Sequence, residues 1–401
     1  MTIIFFAHDC NMTFIANELR FLLASEKVKE VKVYTDFPIE DEGIAFHDKC
    51  TVFIYGKIYQ SALNIPFISI ALNEVLGHFF WYLRRNKWTE VLLTMRDHLK
   101  KATLIKENGI PDDAILYSYW AGSGAFIISC LKRYGLENLA LTRMHGFDLY
   151  EEGNNHGHIP WRSFIFNNLN YLLPISNNGK IYLLSKYPIV EKKINVFNIG
   201  IYIKNIVLNL FNDSDMYHVV SCAWVGEHKN LKGIYEAIKS QKYWEWTHIG
   251  DGEYFNTLNN HICLDSLKLI KVNLIGRLNT DQINTFYREK KITCFISLSP
   301  NEGLPVSMME AMAFGIPVVS TDVGGCAEIV TPETGVLLPK NYTNDDVVAA
   351  VKQCAEKFAS LEARNHIQQF IIAKFDAEKN YQKFIDYLEE ANKKHRKAAS
   401  A

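Results

Sequence analysis

Short runs rich in Ile, Val and Phe recur along this chain, each followed by a longer amphipathic stretch, and that rhythm limits the fold more than any other feature. It begins with "TIIFFA", continues through "FIANELRFLLAS" and returns in "VKEVKVYTDF". A strand covered on both faces needs an apolar run, and a helix that carries the chain back to the next parallel strand needs one apolar side. The rhythm restarts after position 215. There "YHVVSCAWV" precedes "NLKGIYEAIKS", "WTHIG" precedes "EYFNTLNNHIC", "KVNLIG" precedes "TDQINTFYREKK", "ITCFISLS" precedes "PVSMMEAMAFG", and "IPVVST" precedes "GCAEIVTP". Two rounds predict two doubly wound α/β domains. The length of 401 residues agrees, at roughly 100 to 200 residues per domain. Pro188 and a cluster of Asn and Lys set the hinge near residues 190 to 200. The expected domains are therefore 1–195 and 196–375, followed by a C-terminal helix over 376–401 that packs back toward the first domain. Its end, Lys393, Lys394, His395, Arg396 and Lys397, is a basic tail.

Lys plus Arg number 43 against 44 for Asp plus Glu, a formal net charge of −1, which excludes a general nucleic-acid binder. The 48% hydrophobic and 13% aromatic content excludes a disordered chain. Eight cysteines are spread without a C-x-x-C pair, so neither a disulfide frame nor a zinc cluster is expected. The start "MTIIFFAHDC" lacks a basic n-region, and no run reaches the ~18 apolar residues of a spanning helix. A cytoplasmic place is expected, with the cytoplasmic face of a membrane as its extension.

The segment that carries most chemistry is "SLSPNEGLPVSMMEAMAFGIPVVSTDVGG", residues 297–325. A buried strand runs into a turn containing Pro300, Asn301 and Gly303, and Pro305 is expected to open a helix in its first turn. Ligands of such sheets bind outside the carboxyl ends of the strands. Backbone N–H groups of Gly303, Leu304 and Val306 would face that crevice beside the positive end of the helix, where phosphate is favoured. Glu302 on the turn and Glu310 on the helix can reach one cleft at different depths, and carboxylates accept hydrogen bonds from sugar hydroxyls.

The phrase "EGLPVSMMEAMAFGIPVV", two Glu separated by seven residues, resembles the donor-site signature of retaining glycosyltransferases of the GT-B fold, family 4. The resemblance extends over most of the chain. "VVSCAWVGEHKNLKGIYEAI" resembles the first strand, loop and helix of that family's C-terminal domain; "HIGDGEYFNTL" and "VNLIGRLNTDQINTFY" resemble its next two units; "TFIANELRFL" and "MHGFDLYEEG" resemble parts of its acceptor domain. It implies two Rossmann-like domains facing each other across a cleft, and transfer of a sugar, with retention, from a nucleoside-diphosphate sugar to a hydroxyl of a growing, lipid-linked glycan in surface polysaccharide biosynthesis. No metal or other cofactor is implied. Glu302 would bind the donor sugar, Glu310 the ribose, and Lys229 the pyrophosphate, with Lys232 as the alternative. The 303–306 backbone, including Leu304, Pro305 and Val306, would hold phosphate or sugar oxygens, and the turn at Gly276 and Arg277 would pack the nucleobase. His145 would sit beside the anomeric carbon. One departure is Trp224, where many members carry an Arg as a second phosphate ligand; Arg277 would be the candidate to supply the missing charge. That departure also motivates a rival, a catalytically silent nucleotide-sugar-binding partner protein. A second rival is an epimerase or hydrolase on the same fold.

Three further segments have weaker readings. Gly122-x-Gly124 in "YWAGSGAFI" imitates a dinucleotide fingerprint, but Ile127 stands where a third small residue belongs. Asp213-Ser214-Asp215 imitates a metal-binding Asp-x-Asp and reads as polar surface. "LNEVLGHFFWYLRRNKWTEVL", residues 72–92, reads either as a buried helix with a basic end or as an aromatic and basic helix at an anionic membrane interface.

Overall fold

A computed structural model describes residues 1–55, 74, 88–153, 157–202, 206–209 and 216–399. The chain divides into two compact units, Met1–Ile175 with Gly179–Phe197 and Tyr381–Ala401, and Ser176–Asn178 with Asn198–Asn380.

The first unit is a six-stranded parallel sheet of β1 (Thr2–Phe6), β2 (Glu30–Thr35), β3 (Cys50–Ile54), β4 (Ile115–Ser118), β5 (Ala140–Met144) and β6 (Tyr171–Pro174). Its order is β3-β2-β1-β4-β5-β6. β1, β4 and β5 are buried along their whole length, and β1, apolar from Ile3 to Phe6, reads as a continuous run and not as alternation. Gly124 earns its place by space: a Cβ there would lie 2.5 Å from Ser118 Oγ and 2.8 Å from the Cβ of Phe6, so the helix Ser123–Arg133 rests directly on β1 and β4.

The long helix Ala377–Ala399 belongs to this unit from Tyr381 onward. Tyr381 stacks on Phe21 with centroids 4.6 Å apart, and Phe384 lies 5.4 Å from the Tyr117 ring. Under them Arg143, fully buried on β5, holds Glu18 at 2.9 Å and covers the Phe384 ring at 4.4 Å. The Tyr117 hydroxyl donates to the other Glu18 oxygen. Burial raises the Glu18 pKa and Arg143 opposes the rise, so this pair is a high-stakes element of the core.

The second unit repeats the plan. β7 (Tyr217–Cys222), β8 (Trp244–Ile249), β9 (Lys271–Leu274), β10 (Cys294–Ser297), β11 (Val318–Thr321) and β12 (Gly335–Leu338) form a parallel sheet in the order β12-β11-β10-β7-β8-β9. Numbered from its own first strand, that is the order of the first sheet. Both have the doubly wound arrangement whose switch point lies between the first and fourth strands. The rhythm of the sequence yields five of these six strands; β12, four residues in "TGVLLPK", is too short to announce itself by pattern.

Thr343 starts the final helical series with a capping box to Asp346. Buried Arg364 ties that series to the sheet through Asn209 Oδ1 at 2.9 Å and the Ile292 carbonyl at 2.8 Å. All eight cysteines are free. Pro305 is a correction: the helix begins at Val306, with Pro305 in extended conformation at the N-cap and not inside the first turn. Of the 72–92 segment, Glu74 and the helix from Trp88 are described, whereas Phe79, Phe80, Trp81, Tyr82, Arg84, Arg85 and Lys87 lie outside the described residues, as does Asp213-Ser214-Asp215. No described helix is long and apolar enough to cross a membrane.

Candidate functional site

The switch point of the second sheet separates β7 from β10, and the loops that leave these two strands carry Lys229 and Glu302. Lys229 ends a single 3-10 turn, Glu227–Lys229. Asn230 fixes it from behind in left-handed conformation, φ 50°, with its amide donating to the Leu298 carbonyl at 3.1 Å and the Tyr342 hydroxyl at 3.0 Å. Lys229 Nζ meets Glu302 Oε1 at 2.7 Å, and both side chains are largely sheltered. The alternative Lys232 is exposed on the helix Leu231–Ile238. Sequence spacing does not distinguish the surroundings of these lysines; the structure sets Lys229 against Glu302 and Lys232 toward solvent.

Beyond Glu302 the chain is pinned by a close approach. The Gly325 N–H donates to the Gly303 carbonyl at 2.8 Å, and a Cβ on Gly325 would lie 2.3 Å from that oxygen. Thr321 Oγ1 donates to the Ser299 carbonyl at 2.6 Å. The loops after β10 and β11 are thus locked together. Among the described residues, no acceptor meets the N–H of Gly303, Leu304 or Val306. These donors stand at the positive end of the helix Val306–Ala313, an arrangement suited to phosphate oxygens.

Glu310 sits farther along the same helix, where burial pushes its carboxyl up to about 7. Its charge reaches the Cys222 thiol at the end of β7, which burial first and that carboxylate second push up to about 12. It also reaches the buried Tyr287 hydroxyl. Among the described residues no cation opposes that shift, so the Glu310 carboxylate is open to hydrogen bonds from hydroxyl groups.

Gly276 and Arg277 follow β9. Gly276 turns the chain at φ 73° and accepts the Gly250 N–H at 2.8 Å, which joins the loops after β8 and β9; Arg277 is exposed. Trp224 leaves β7 with 55% of its surface exposed, its indole N–H donating to Glu253 Oε2 at 2.6 Å. A Cβ on Gly252 would come within 2.9 Å of the indole. Glu253, Asn230 and Gly325 were not legible as site residues, although "GDGE" and "VGG" mark the loops that carry them.

In the first unit His145 follows β5. Its N–H donates to Asp148 Oδ1 at 2.6 Å, and Asp148 Oδ2 accepts the Ala121 N–H at 2.6 Å, so one carboxylate joins the loops after β4 and β5. Burial pushes Asp148 up to about 6. The His145 ring stacks on Tyr119 at 4.6 Å and meets Trp120 edge-on at 6.4 Å. Both ring nitrogens are buried with no hydrogen-bond partner among the described residues, and burial holds the pKa well below 6.5. His145 is therefore a neutral imidazole with unused hydrogen-bonding capacity. Among the described residues, no group of three His, Cys, Asp or Glu could hold a metal ion.

Comparison with known proteins adds to this geometry. Residues 209–371 match the family model of glycosyl transferases group 1. The chain is 28% identical over 307 residues to the uncharacterized glycosyltransferase MJ1178 of Methanocaldococcus jannaschii, covering 73% of this chain and 83% of that protein. It is 31% identical over 207 residues to the amylovoran biosynthesis glycosyltransferase AmsK of Erwinia amylovora, about half of either chain at 49% and 50%. The structure of Anabaena HepE in complex with UDP and glucose superposes with a TM-score of 0.67 at 15% identity, covering 97% of this chain and 100% of that one. The chain thus has the GT-B fold, and its residues 209–371 are similar to the glycosyl transferases group 1.

Proposed function

We propose that this protein is a retaining glycosyltransferase that moves a sugar from a nucleoside-diphosphate sugar to a hydroxyl of a growing, lipid-linked glycan in surface polysaccharide biosynthesis, without a metal. The observation that carries the donor half is the Lys229–Glu302 pair at the switch point, beside the N–H groups of Gly303, Leu304 and Val306, which meet no acceptor among the described residues. Likeness to AmsK, an amylovoran biosynthesis enzyme, and to HepE, solved with UDP and glucose, supports the polysaccharide and the nucleotide parts of the reading.

Cleavage of the bond between the anomeric carbon and the diphosphate leaves negative charge on phosphate oxygens. Lys229 and the start of the helix Val306–Ala313 stabilise that charge where it forms, which lowers the barrier more than it tightens the ground state. Glu302 accepts hydrogen bonds from the transferred sugar and Glu310 from the ribose. The acceptor oxygen bonds to the anomeric carbon on the face the diphosphate leaves, and the acceptor proton passes to the departing phosphate. Gly276 and Arg277 bound the nucleobase. To His145 we assign a part in transfer and not in nucleotide binding, because a neutral ring with free nitrogens can hydrogen-bond a sugar hydroxyl.

A thermal-shift screen with UDP, GDP, ADP and dTDP sugars tests the donor half. A ligand at 100 times its dissociation constant adds about 2.7 kcal/mol to stability. One nucleotide class should raise the melting temperature and Glu310→Ala should remove the rise. His145→Ala should keep the rise and lose transfer. Transfer at the normal rate by His145→Ala would overturn its assignment, and tight donor binding without turnover in the native protein would favour a silent binding partner.

A further inference from the structure

The end of the second sheet opposite Lys229 and Glu302 carries a different surface. Leu264, Leu267 and Leu269 are 84%, 73% and 60% exposed, within six residues of one another. They close the helix Phe255–Leu264 and run into β9. The Leu269 N–H donates to the Lys239 carbonyl at 2.8 Å, which fixes this loop beside the one that enters β8. That second loop presents Tyr243, 65% exposed, and the Tyr243 carbonyl accepts the N–H of Tyr217 at the start of β7. Because the strands are parallel and in register, with Tyr217 opposite Trp244 and Glu245 opposite Lys271, these apolar side chains share one edge of the unit. A soluble surface gains nothing by holding three leucines out in water on a hydrogen-bonded loop.

The same edge is rimmed by cations. Lys242 lies 5.0 Å from the Tyr243 ring centroid, Lys268 stands between two of the leucines, and Lys290 and Lys291 enter β10 exposed. Among the described residues none of these four meets a carboxylate at ion-pair distance, whereas the nearby acids are already paired: Asp265 with Lys239 at 3.0 Å, and Glu245 with Lys271 at 3.1 Å. Exposed leucines, and lysines without an ion-pair partner among the described residues, thus share this edge. A protein interface of ordinary composition is depleted in lysine. The headgroup region of an anionic bilayer accepts both parts, since acyl chains take the leucines, the interface takes the tyrosine, and lipid phosphates take the ammonium groups.

We infer that the edge built by Leu264, Leu267, Leu269 and Tyr243 with Lys242 and Lys268 is a docking surface for an anionic phospholipid membrane. It lies at the end of the sheet opposite the donor site, and it holds whether or not the chain transfers sugar.

The test is flotation of the full chain with vesicles of phosphatidylcholine alone or of equal parts phosphatidylcholine and phosphatidylglycerol, with no donor present. The native protein should float with the anionic vesicles only and detach at high salt. Leu267→Ser with Leu269→Ser should weaken binding about tenfold or more, and Lys242→Glu with Lys268→Glu should do the same. All these side chains are exposed, and unchanged melting curves would verify folding. The inference is overturned if the native protein leaves anionic vesicles unbound or if the leucine variant binds as well as native. It is also overturned if loss of the basic tail through Lys393→Ala, Arg396→Ala and Lys397→Ala abolishes binding while the leucine variant keeps it. A native dimer that the leucine variant turns into a monomer would assign the edge to a second copy of the chain and overturn the membrane reading as well.

Discussion

Lys229 Nζ and Glu302 Oε1 stand 2.7 Å apart on two loops that leave neighbouring strands, so the cation proposed for the diphosphate is held by the carboxylate proposed for the sugar. Donor binding must then share or replace that contact. Lys229→Met should leave Glu302 without its cation and remove charge stabilisation of the leaving group. Turnover should fall about a hundredfold or more, by analogy with loss of one preorganised donor to developing charge. Initial rates of sugar transfer, with donor affinity measured separately by calorimetry, would check it. A change confined to KM would instead give Lys229 equal contact with ground state and transition state.

Glu310 makes two opposite pH dependences. Its folded pKa of about 7 lies above the ordinary 4.5, so the folded state holds the proton more tightly than the unfolded chain. Its contribution to stability is full below the ordinary value and is lost as pH rises toward 7. Donor binding runs the other way, since the ionised carboxylate is the better acceptor for ribose hydroxyls. Donor affinity should fall roughly tenfold for each pH unit below 7. Titration calorimetry from pH 5.5 to pH 8.5 (roughly the span of one titrating group) on native protein and Glu310→Gln should show the slope in the first and its absence in the second.

Trp224 occupies the position where the resembled family often has an arginine. Its indole is anchored by Glu253 and backed by Gly252, so the exchange has its own local support. Trp224→Arg should bring a second cation to the diphosphate. A hydrogen bond to a charged group contributes about 1.5 to 3 kcal/mol, equivalent to a roughly tenfold or larger gain in donor affinity. Glu253 would compete for the new guanidinium, so Trp224→Arg with Glu253→Gln should gain more than Trp224→Arg alone. Thermal shifts at fixed nucleotide concentration would read the difference.

The buried strands were legible because parallel strands covered on both faces are written in Ile, Val and Phe, and the β-then-α alternation fixed the class of fold. Glu302 and Glu310 were legible as a spaced pair within a long phrase. What the sequence withheld depends on contacts between distant segments. Nothing in "EHKNLKG" says that Asn230 turns left-handed and aims Lys229 at Glu302 while Lys232 faces solvent. Nothing in "MHGFDLY" says that Asp148 joins the loops at 121 and 145. The Asp148 carboxylate holds the backbone of the very residue assigned to transfer. The Leu264–Leu269 edge was invisible for another reason: leucines in an apolar-rich chain read as core until their exposure is known.

Gly325 offers a test of the site's backbone that touches no side chain assigned to binding. Its φ of −85° is open to any residue, so a substitution adds no backbone strain. It does add a Cβ 2.3 Å from the Gly303 carbonyl, and that atom is backbone that cannot rotate away. Gly325→Ala must push the loop after β10 from the loop after β11, with an overpacking cost of about 1 to 3 kcal/mol. The N–H groups at 303, 304 and 306 would move with it, away from any phosphate they hold. The expected outcome is a modest fall in melting temperature and a loss of donor binding about as large as that of Glu310→Ala, although Lys229, Glu302 and Glu310 all remain. Gly315→Ala is the control, because it is strained by its φ of 75° and crowded by the Arg364 carbonyl at 2.7 Å at the far end of the same helix. It should lower stability at least as much and spare donor binding in the protein that remains folded. Equal loss of binding in both variants would mean that general destabilisation, and not the geometry of the 303–306 loop, sets donor affinity.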